Sequence, residues 1–451
     1  EPLLKNVKII SNTLALEEQF EIFLIAIDKY KPSNAEIKTP VTFELSRILS
    51  SGVTTDESSR QLIDYLISSI SSRLMKVKHS NSDILNIASS LNLTFPVQSK
   101  LPNLYIDISQ LVLSDFKTGI QRVVRAITQA WLDCKHNQFN IVPIHFSFQS
   151  QKSFCRKVDF SLSISESQEE RGLGDVVEPM RGDVFIGLDL VGSITQVEKL
   201  NVFTHWRARG VKIHFVIYDI LPLLHPEWWS VYAEKSHEEW LLAIIKSSDS
   251  LISISKSVSL EVQKRIKDHN VQLERPMKFK SFHLGADINN SKPSLGMPTS
   301  SVQVLKAIIS KVSFLMVGTI EPRKGHSQTL AAFELLWEQG KDINLVFVGK
   351  QGWMVDKLIK KVKQHKELHK RLFWLDSISD EYLEKVYLSC HCLIAASLGE
   401  GFGLPLIEAA QKKMPIIARE IPIFKEVAGE HAFYFKGDSP ESLSEPIKQW
   451  L

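Results

Sequence analysis

Short apolar runs alternate with longer amphipathic stretches from residue 104 onward, and this alternation limits the fold more than any other feature. The runs lie at residues 104–108, 140–144, 183–187, 212–218, 250–254 and 278–284, and then at 313–318, 344–349, 372–375 and 392–396. Strands without a polar face are typical of parallel sheets that helices cover on both sides. The sequence therefore predicts an α/β chain with two such sheets in tandem, which would face one another across a cleft.

The chain of 451 residues is too long for one ordinary core, so we expect several domains. Residues 1–98 have helical apolar spacing and almost no glycine, which predicts a small helical domain. A polar, proline-containing segment at 289–301 separates the two α/β units. We therefore predict domains at 1–98, 99–295 and 296–451, with the polar stretch 149–180 as an excursion from the first sheet.

Composition excludes several classes of protein. The net charge of +3 is too small to draw the chain to nucleic acid. The four cysteines are too few and too irregular for a disulfide framework or zinc site, which predicts buried thiols and a cytoplasmic location. No run approaches the roughly 20 apolar residues that cross a bilayer. The basic stretch 357–371 predicts a solvated helix, with peripheral contact to anionic lipid at the inner face of the cell membrane as the alternative.

The segment 397–408, S-L-G-E-G-F-G-L-P-L-I-E, predicts a ligand loop that runs into a helix. Gly401 and Gly403 let backbone N–H groups approach a ligand, and the following helix N-terminus favours an anion. Glu400 and Glu408 are either a turn residue and an exposed helical residue or the groups that bind a donor sugar and a ribose, respectively. The two readings stay open from these residues alone.

A second strand end carries the sequence T-I-E-P-R-K-G-H at 319–326. Arg323 and Lys324 stand next to Gly325, directly before a predicted helix, where two cations and free N–H groups suit a diphosphate. An Arg-Lys-Gly triplet by itself is more often part of a surface turn. The chain contains no D-x-D sequence, so we expect these cations, and no metal ion or other cofactor, to neutralise the diphosphate.

These residues resemble the family 4 glycosyltransferases of the GT-B fold, in which two Rossmann-like domains face each other. The resemblance covers about residue 102 to the end and is strongest to mannosyltransferases that build bacterial surface polysaccharides. The motifs that carry it are D-I-S-Q-L-V with T-G-I-Q-R-V-V-R (107–125), Y-D-I-L-P-L-L-H-P-E (218–227), H-L-G-A-D (283–287), V-G-T-I-E-P-R-K-G-H (317–326) and G-E-G-F-G-L-P-L-I-E (399–408). It implies a retaining, metal-independent enzyme in which the donor β-phosphate accepts the nucleophile's proton.

The resemblance also implies roles for individual residues. Glu400 and Asp219 are the candidate catalytic residues. The candidate donor-binding residues are Gly119, Gly318, Arg323, Lys324, Gly401, Phe402, Gly403, Leu404 and Glu408. Two positions depart from the family's pattern, since Tyr218 stands before Asp219 where relatives often have histidine, and Thr319 stands where many have a phosphate-binding arginine.

An acceptor surface is predicted near the strand ends of the first α/β domain. Its candidates are His225, Trp228 and Trp229, together with His205 and Arg207. Each alone is more often structural, but sugars stack on aromatic rings while polar groups bind their hydroxyls.

The function that follows is transfer of a hexose, with mannose from GDP-mannose as our prediction, onto a growing surface polysaccharide such as O-antigen, whose acceptor is lipid-linked. One alternative is a rhamnosyl- or other hexosyltransferase that uses a dTDP- or UDP-sugar. Another is a non-catalytic glycan-binding or scaffold subunit. Because the chain begins with Glu1, we expect it to be a piece of a longer, multi-catalytic protein.

Overall fold

The computed structural model describes residues 101–115, 118–134, 138–149, 152–160, 174–180, 182–273, 275–285 and 294–451. The predicted helical domain at 1–98 lies outside these ranges, as does Asp287 of the H-L-G-A-D motif.

The first sheet contains seven strands in the order β3-β2-β1-β4-β5-β6-β7. They are β1 (Asn103–Asp107), β2 (Asn140–Gln149), β3 (Lys152–Lys157), β4 (Val184–Gly187), β5 (Lys212–Ile217), β6 (Ser250–Ser253) and β7 (Lys278–Ser281). β1 pairs in parallel with β2 and β4, and β4 pairs in parallel with β5. β3 pairs antiparallel with β2, so the prediction that 149–180 leaves the sheet was wrong for its first part. A hairpin return needs only a short turn, whereas the sequence reasoning sought parallel strands separated by helices.

Seven helices connect the described strands of the first half. They are α1 (Ser109–Leu113), α2 (Gly119–Asp133), α3 (Ile194–Lys199), α4 (Val202–Ala208), α5 (Leu221–Leu224), α6 (Val231–Ser247) and α7 (Lys256–Asp268).

Aromatic side chains form the centre of the first core. Phe146, Phe185 and Phe215 project from three strands and contact Phe203 and Trp206 of α4, with ring centroids 5.3 to 6.0 Å apart. Most of these pairs are tilted or edge-to-face, the geometry that the ring quadrupoles favour. This cluster fixes α4 against the sheet.

The second sheet is entirely parallel, in the order β10-β9-β8-β11-β12-β13. Its strands are β8 (Ser313–Val317), β9 (Asn344–Val348), β10 (Leu372–Leu375), β11 (Cys392–Ala395), β12 (Ile416–Arg419) and β13 (Phe433–Phe435). This is the doubly wound order of a Rossmann-like sheet. The predicted α/β class with two Rossmann-like sheets is confirmed.

The helices of the second half cover both faces of this sheet. They are α8 (Ser301–Ile309), α9 (His326–Glu338), α10 (Asp356–Lys363), α11 (Asp380–Ser389), α12 (Leu404–Gln411), α13 (Pro422–Ala428) and α14 (Pro440–Trp450). Along β9, Leu345 and Phe347 pack with α9 and α14, whereas Val346 and Val348 pack into the opposite core. Successive side chains of a strand point to opposite faces, which explains why the strand has no polar face.

The predicted basic helix is shorter than expected. α10 ends at Lys363, and residues 364–371 form turns before β10. Its apolar residues Ile359 and Val362 are buried against the protein's own core, while Lys357 and Lys360 are exposed. The prediction of one helix over 357–371 was wrong because its apolar residues follow a single buried face only as far as Val362.

The four cysteines are free thiols. Cys155 and Cys392 are buried and Cys390 is half-buried, but Cys134 is exposed, so the prediction of buried thiols was wrong at that position.

The chain divides into two compact units. Within the described ranges, the first unit comprises residues up to Phe116 with Trp131–Phe215 and Ala243–Ser250, and the second comprises Lys117–Ala130, Val216–Leu242 and Leu251–Leu451. The predicted domain boundaries at 98 and 295 stay predictions.

Among the helices of the described ranges, none has the length and apolar character needed to span a membrane.

The core position of Phe347 generates a stability prediction. Phe347 is fully buried at the centre of β9, so Phe347→Ala should lower the free energy of unfolding by about 3–5 kcal/mol through lost burial and the cavity left behind. The control is Phe433→Ala on β13, whose ring is 41% exposed and should cost about 1 kcal/mol or less. Urea denaturation followed by circular dichroism measures both, and equal losses would contradict the assignment.

Candidate functional site

Two loops of the second unit meet at the point where the strand order of the second sheet reverses. β8 and β11 are neighbours, and the chain leaves them toward opposite edges. Ligands of open α/β sheets bind outside the carboxyl ends of strands at such a point. The loop after β8 carries Arg323 and Lys324 in a short 3₁₀ turn, Pro322–Lys324, and the loop after β11 carries Glu400.

The two loops approach each other closely at Gly325, where no side chain stands between them. Gly325 has a φ of +79°, and a Cβ atom there would lie 2.4 Å from the carbonyl oxygen of Ala396. The backbone N–H of Leu398 donates to the carbonyl of Arg323 at 2.7 Å. A glycine at this position therefore lets the two loops come close enough to form this backbone hydrogen bond.

Arg323, Lys324 and Glu400 form a half-buried ion cluster, called the ion cluster below. Arg323 Nη1 lies 2.8 Å from Glu400 Oε2, and Lys324 Nζ lies 2.5 Å from Glu400 Oε1. Ser397 Oγ also donates to Glu400 Oε1 at 2.8 Å, and Arg323 Nη1 donates to the carbonyl of Gly399 at 2.8 Å. The structure thus brings together three predicted site residues whose roles stay predictions.

Glu321 supplies a second carboxylate beside the ion cluster. Its Oε1 lies 2.7 Å from Arg323 Nη2, and its side chain is buried. Burial raises the pKa of Glu321, and the positive charges of Arg323 and Lys324 oppose that rise only in part. The Nε of Arg323 is buried and has no hydrogen-bond partner among the described residues, so the guanidinium keeps an N–H for a further acceptor.

The charge balance holds Glu400 ionised. Burial alone would raise the pKa of Glu400, but the charges of Lys324 and Arg323 and their hydrogen bonds outweigh it and lower the pKa to about 2. Burial would likewise lower the pKa of Arg323, and the carboxylates of Glu400 and Glu321 instead hold it above its ordinary value. Glu400 and Arg323 are therefore both charged at neutral pH.

Glu408 lies on α12, one helical turn beyond its N-terminus, and is buried rather than exposed. The hydroxyl of Tyr387 donates to Glu408 Oε2 at 2.6 Å, and Arg122 Nη1 lies 3.4 Å from Oε1. Burial and then the neighbouring carboxylate raise the pKa of Tyr387 well above its ordinary value, so its hydroxyl stays a proton donor. Two partners from α11 and α2 thereby orient the predicted ribose-binding carboxylate.

Asp219 follows β5 and accepts a hydrogen bond at Oδ1 from the backbone N–H of Leu221 at 3.1 Å. Burial and then the charge of Asp219 raise the pKa of Glu261 to about 7, and Glu261 Oε2 has no hydrogen-bond partner in the described part of the chain. Burial lowers the pKa of His237. Asp219 opposes this shift through its charge and through a hydrogen bond to its backbone carbonyl. Asp219 therefore stands beside two half-buried titratable side chains that the sequence did not single out.

The remaining glycine-loop candidates pack closely around Glu400. A Cβ at Gly401 would lie 2.1 Å from the carbonyl oxygen of Tyr218, and the Gly401 carbonyl accepts from Ser255 Oγ at 3.0 Å. Phe402 is buried, and Gly403, with a φ of +98°, immediately precedes α12, which begins at Leu404. The predicted boundary between loop and helix is confirmed.

The two glycines assigned to other loops have less crowded surroundings. Gly318 ends β8 with a φ of +138°, and the side chain of Lys324 passes 3.6 Å from its Cβ position. Gly119 is the first residue of α2 and has no atom within 4 Å of its Cβ position among the described residues.

The predicted acceptor aromatics form a stacked group. His225 and Trp228 stack with centroids 4.0 Å apart, and His225 Nδ1 lies 3.1 Å from Glu227 Oε1. The guanidinium of Arg323 lies over the ring of Trp229 at 5.9 Å. This places Trp229 beside the ion cluster.

His205 and Arg207 lie within α4 rather than at a strand end. Arg207 Nη1 donates to the carbonyls of Lys246 and Ser247 at 2.8 and 3.2 Å. The prediction that they border the acceptor surface from strand ends was wrong, because the helix begins at Val202.

Sequence reasoning missed several side chains that contact the candidate site residues, among them Glu321, Ser397, Tyr387 and Arg122. Glu321 and Ser397 stand inside the quoted motifs, so an acid or hydroxyl one or two residues from a cation-binding loop was an available signal. Tyr387 is an ordinary apolar position of α11 in sequence, and no signal identified it.

Comparison with known proteins identifies the family to which this chain belongs. Residues 306–451 match the family model described as glycosyl transferases group 1. Serotype-specific mannosyltransferase WbdA of Escherichia coli is 43% identical over 355 residues, which are 77% of this chain and 42% of WbdA. O-antigen chain mannosyltransferase B of the same organism is 30% identical over 138 residues, which are 30% of this chain and 36% of that protein. The chain thus spans less than half the length of these relatives.

Solved structures share the fold at low sequence identity. Alr3699/HepE of Anabaena, in complex with UDP and glucose, aligns with a TM-score of 0.53 and 14% identity, over 77% of this chain and 89% of that one. The catalytic domain of starch synthase IV from Arabidopsis thaliana aligns with a TM-score of 0.52 and 12% identity, over 78% and 92% of the respective chains.

The charge state of Glu400 predicts a pH-dependent stability. Because the pKa of Glu400 falls from 4.5 to about 2 on folding, its ionised form stabilises the fold above pH 4.5, and this contribution is lost as the pH falls toward 2. Glu400→Gln should therefore lower the free energy of unfolding at pH 7 by about 2–3 kcal/mol, and the difference from the wild type should shrink below pH 4.5.

Urea denaturation at a series of pH values measures this difference. The matched control is Glu384→Gln, which breaks an exposed ion pair with Lys412 and should cost less than about 1 kcal/mol. A loss in Glu400→Gln that does not change between pH 7 and pH 3 would contradict the ionised assignment.

Proposed function

We propose that this protein transfers mannose from GDP-mannose to a growing polysaccharide with retention of configuration. The premise is that residues 306–451 belong to the group 1 glycosyl transferases and that the fold is GT-B. The observation that carries the proposal is the ion cluster at the switch point of the second sheet. Two cations held there beside a glycine loop and a helix N-terminus suit a diphosphate-linked sugar.

The donor diphosphate would bind Arg323 and Lys324. In the structure both cations are paired with Glu400, so an incoming diphosphate competes for donors that the carboxylate already uses. The remaining Nε–H of Arg323 offers a further bond to a phosphate oxygen. Once one cation turns to the diphosphate, Glu400 can accept hydrogen bonds from hydroxyls of the donor sugar.

The two positive side chains take the charge-neutralising role that a divalent cation has in other diphosphate sites. We therefore propose that no metal ion is required. The backbone at Phe402, Gly403 and Leu404, with the start of α12, would add N–H groups on the same anion.

Glu408 would bind the ribose of the nucleotide. Its carboxylate can accept several hydrogen bonds, so the bonds from Tyr387 and Arg122 leave room for two ribose hydroxyls. Tyr387 fixes one oxygen at 2.6 Å, which orients the carboxylate before the nucleotide arrives. We infer that Tyr387 is a positioning residue for this contact.

Transfer with retention needs no dedicated protein base. The acceptor hydroxyl oxygen would bond to the anomeric carbon as the bond from that carbon to the β-phosphate oxygen breaks, on the same face of the sugar. The hydroxyl proton passes to the leaving β-phosphate. Glu400, ionised at neutral pH, lies on the donor-sugar side, and Asp219 supplies negative charge beside Arg323 that can balance the positive charge developing on the sugar ring.

The mannosyl donor and the polysaccharide acceptor come from the relatives. WbdA and mannosyltransferase B are named for mannosyl transfer, and the second also for the O-antigen chain. We propose a lipid-linked O-antigen chain as the acceptor and a cytoplasmic location at the inner membrane face. The exposed lysines of α10, including Lys357, Lys360, Lys361 and Lys363, support contact with anionic lipid headgroups.

A donor panel tests the function. The purified protein is incubated with GDP-mannose, dTDP-rhamnose and UDP-glucose, each with and without EDTA, and with an α-linked mannotetraose as acceptor. We expect an extended oligosaccharide only with GDP-mannose, equal rates with EDTA, and an α-anomeric linkage by NMR. Transfer only from another donor would replace the donor assignment, and absence of both transfer and nucleotide binding would favour a non-catalytic subunit.

Variants of the ribose carboxylate test the donor site. Glu408→Ala should weaken GDP binding about 100-fold, because charge-assisted bonds to two hydroxyls are lost. Tyr387→Phe should weaken it about three- to tenfold, because the carboxylate loses one orienting bond. Calorimetric titration with GDP measures both, and Glu384→Ala on the exposed side of α11 is the control. Unchanged GDP affinity in Glu408→Ala would remove the ribose assignment.

A further inference from the structure

Trp353 occupies a position in the second unit that neither the motifs nor the comparisons assign. It follows β9 after Gly349 and Gly352, and its side chain is 40% exposed. Its indole Nε1–H donates to the backbone carbonyl of Trp228 at 2.7 Å. A large aromatic ring is thus held in a fixed orientation although two fifths of it remains open to solvent.

Trp353 and Trp229 form an indole pair, the name used for these two residues below. Their ring centroids are 6.3 Å apart and their planes are inclined by 34°. The ring of Trp228, whose centroid is 6.1 Å from that of Trp229, fills the space where a side chain at Gly399 would begin. Trp228 therefore packs against the loop that carries Glu400.

The indole pair lies at the sugar end of the proposed donor site. The guanidinium of Arg323 lies 5.9 Å from the centroid of Trp229, and Arg323 contacts Glu400 directly. Glu408, at the ribose end, has Tyr387 and Arg122 as its partners instead. A molecule stacked on the indole pair would therefore adjoin the group that is transferred.

Residues adjacent to the pair in sequence are also apolar and exposed. Met354 is 59% exposed, and Val231 and Tyr232, which follow Trp229 closely in sequence, are 91% and 83% exposed. Pyranose rings present an apolar C–H face, and tryptophan offers a broad, rigid surface at low entropic cost.

We propose that the indole pair is the stacking site for the terminal sugar ring of the acceptor glycan, with Trp353 as a specificity-determining residue. The inference rests on the proposed function for the identity of the sugar. Trp353 selects acceptors that present an apolar pyranose face, and its bond to Trp228 holds the ring ready.

Direct binding of an α-linked mannotetraose tests this without requiring turnover. Titration calorimetry is performed on the wild type, Trp353→Ala and Trp353→Phe, first with the oligosaccharide and separately with GDP. We expect the dissociation constant for the oligosaccharide to rise about tenfold in Trp353→Ala. Trp353→Phe retains a ring but loses the bond to Trp228, and should raise the constant about two- to threefold.

Trp374→Phe is the matched control. Trp374 also donates its Nε1–H to a carbonyl, that of Gly349 at 2.9 Å, but it packs against the core. This variant should bind the oligosaccharide as the wild type does. Circular dichroism melts check that each variant is folded.

The outcomes separate the inference from the proposed function. Unchanged oligosaccharide affinity in Trp353→Ala, or no oligosaccharide binding by the wild type, overturns the inference. A loss of GDP affinity in Trp353→Ala, with oligosaccharide affinity intact, assigns the ring to the nucleobase and also overturns it. If the wild type binds the oligosaccharide but not GDP, the donor proposal fails while the tenfold effect of Trp353→Ala still supports the stacking site.

Discussion

The pairing of Glu400 with Arg323 and Lys324 is the interaction on which the candidate site depends. A half-buried carboxylate and two half-buried cations are each less favourable alone, and removing one partner leaves the others uncompensated. Glu321 adds the second negative charge, so that two carboxylates face two cations at the carboxyl ends of β8 and β11. The loops that carry these charges are joined by the hydrogen bond from the Leu398 N–H to the Arg323 carbonyl, which brings the charged side chains together.

This arrangement gives the site a polarity along its length. At one end, Glu408 is oriented by Tyr387 and suits a ribose. The two cations beside Glu400 suit a diphosphate. Trp229 adjoins Arg323 and leads to Trp353. In the proposed function, nucleotide, diphosphate and acceptor would therefore meet in turn a hydroxyl-binding acid, two cations and aromatic rings.

The sequence predicted the fold class, and the two loops that meet at the candidate site, for identifiable reasons. Strands without a polar face indicated covered parallel sheets, and the resemblance to GT-B glycosyltransferases, carried by the motifs after β8 and β11, is confirmed by the match of residues 306–451. The errors arose where the local sequence pattern does not determine how strands pair or where a helix ends. β3 returns as an antiparallel edge strand, and α10 ends at Lys363 although basic residues continue to Arg371.

By itself, the sequence determined which residues could carry the chemistry: glycines at two strand ends, two adjacent cations, and two acids with seven residues between them on a loop and helix. Only the tertiary structure decided their partners. Tyr387 reaches Glu408 from the neighbouring helix, Arg122 reaches it from a segment far earlier in the chain, and Trp353 meets Trp229 across more than a hundred residues. The physical reason is that a local pattern fixes backbone periodicity and charge, whereas the orientation and ionisation of a buried side chain depend on whatever the folded chain packs against it.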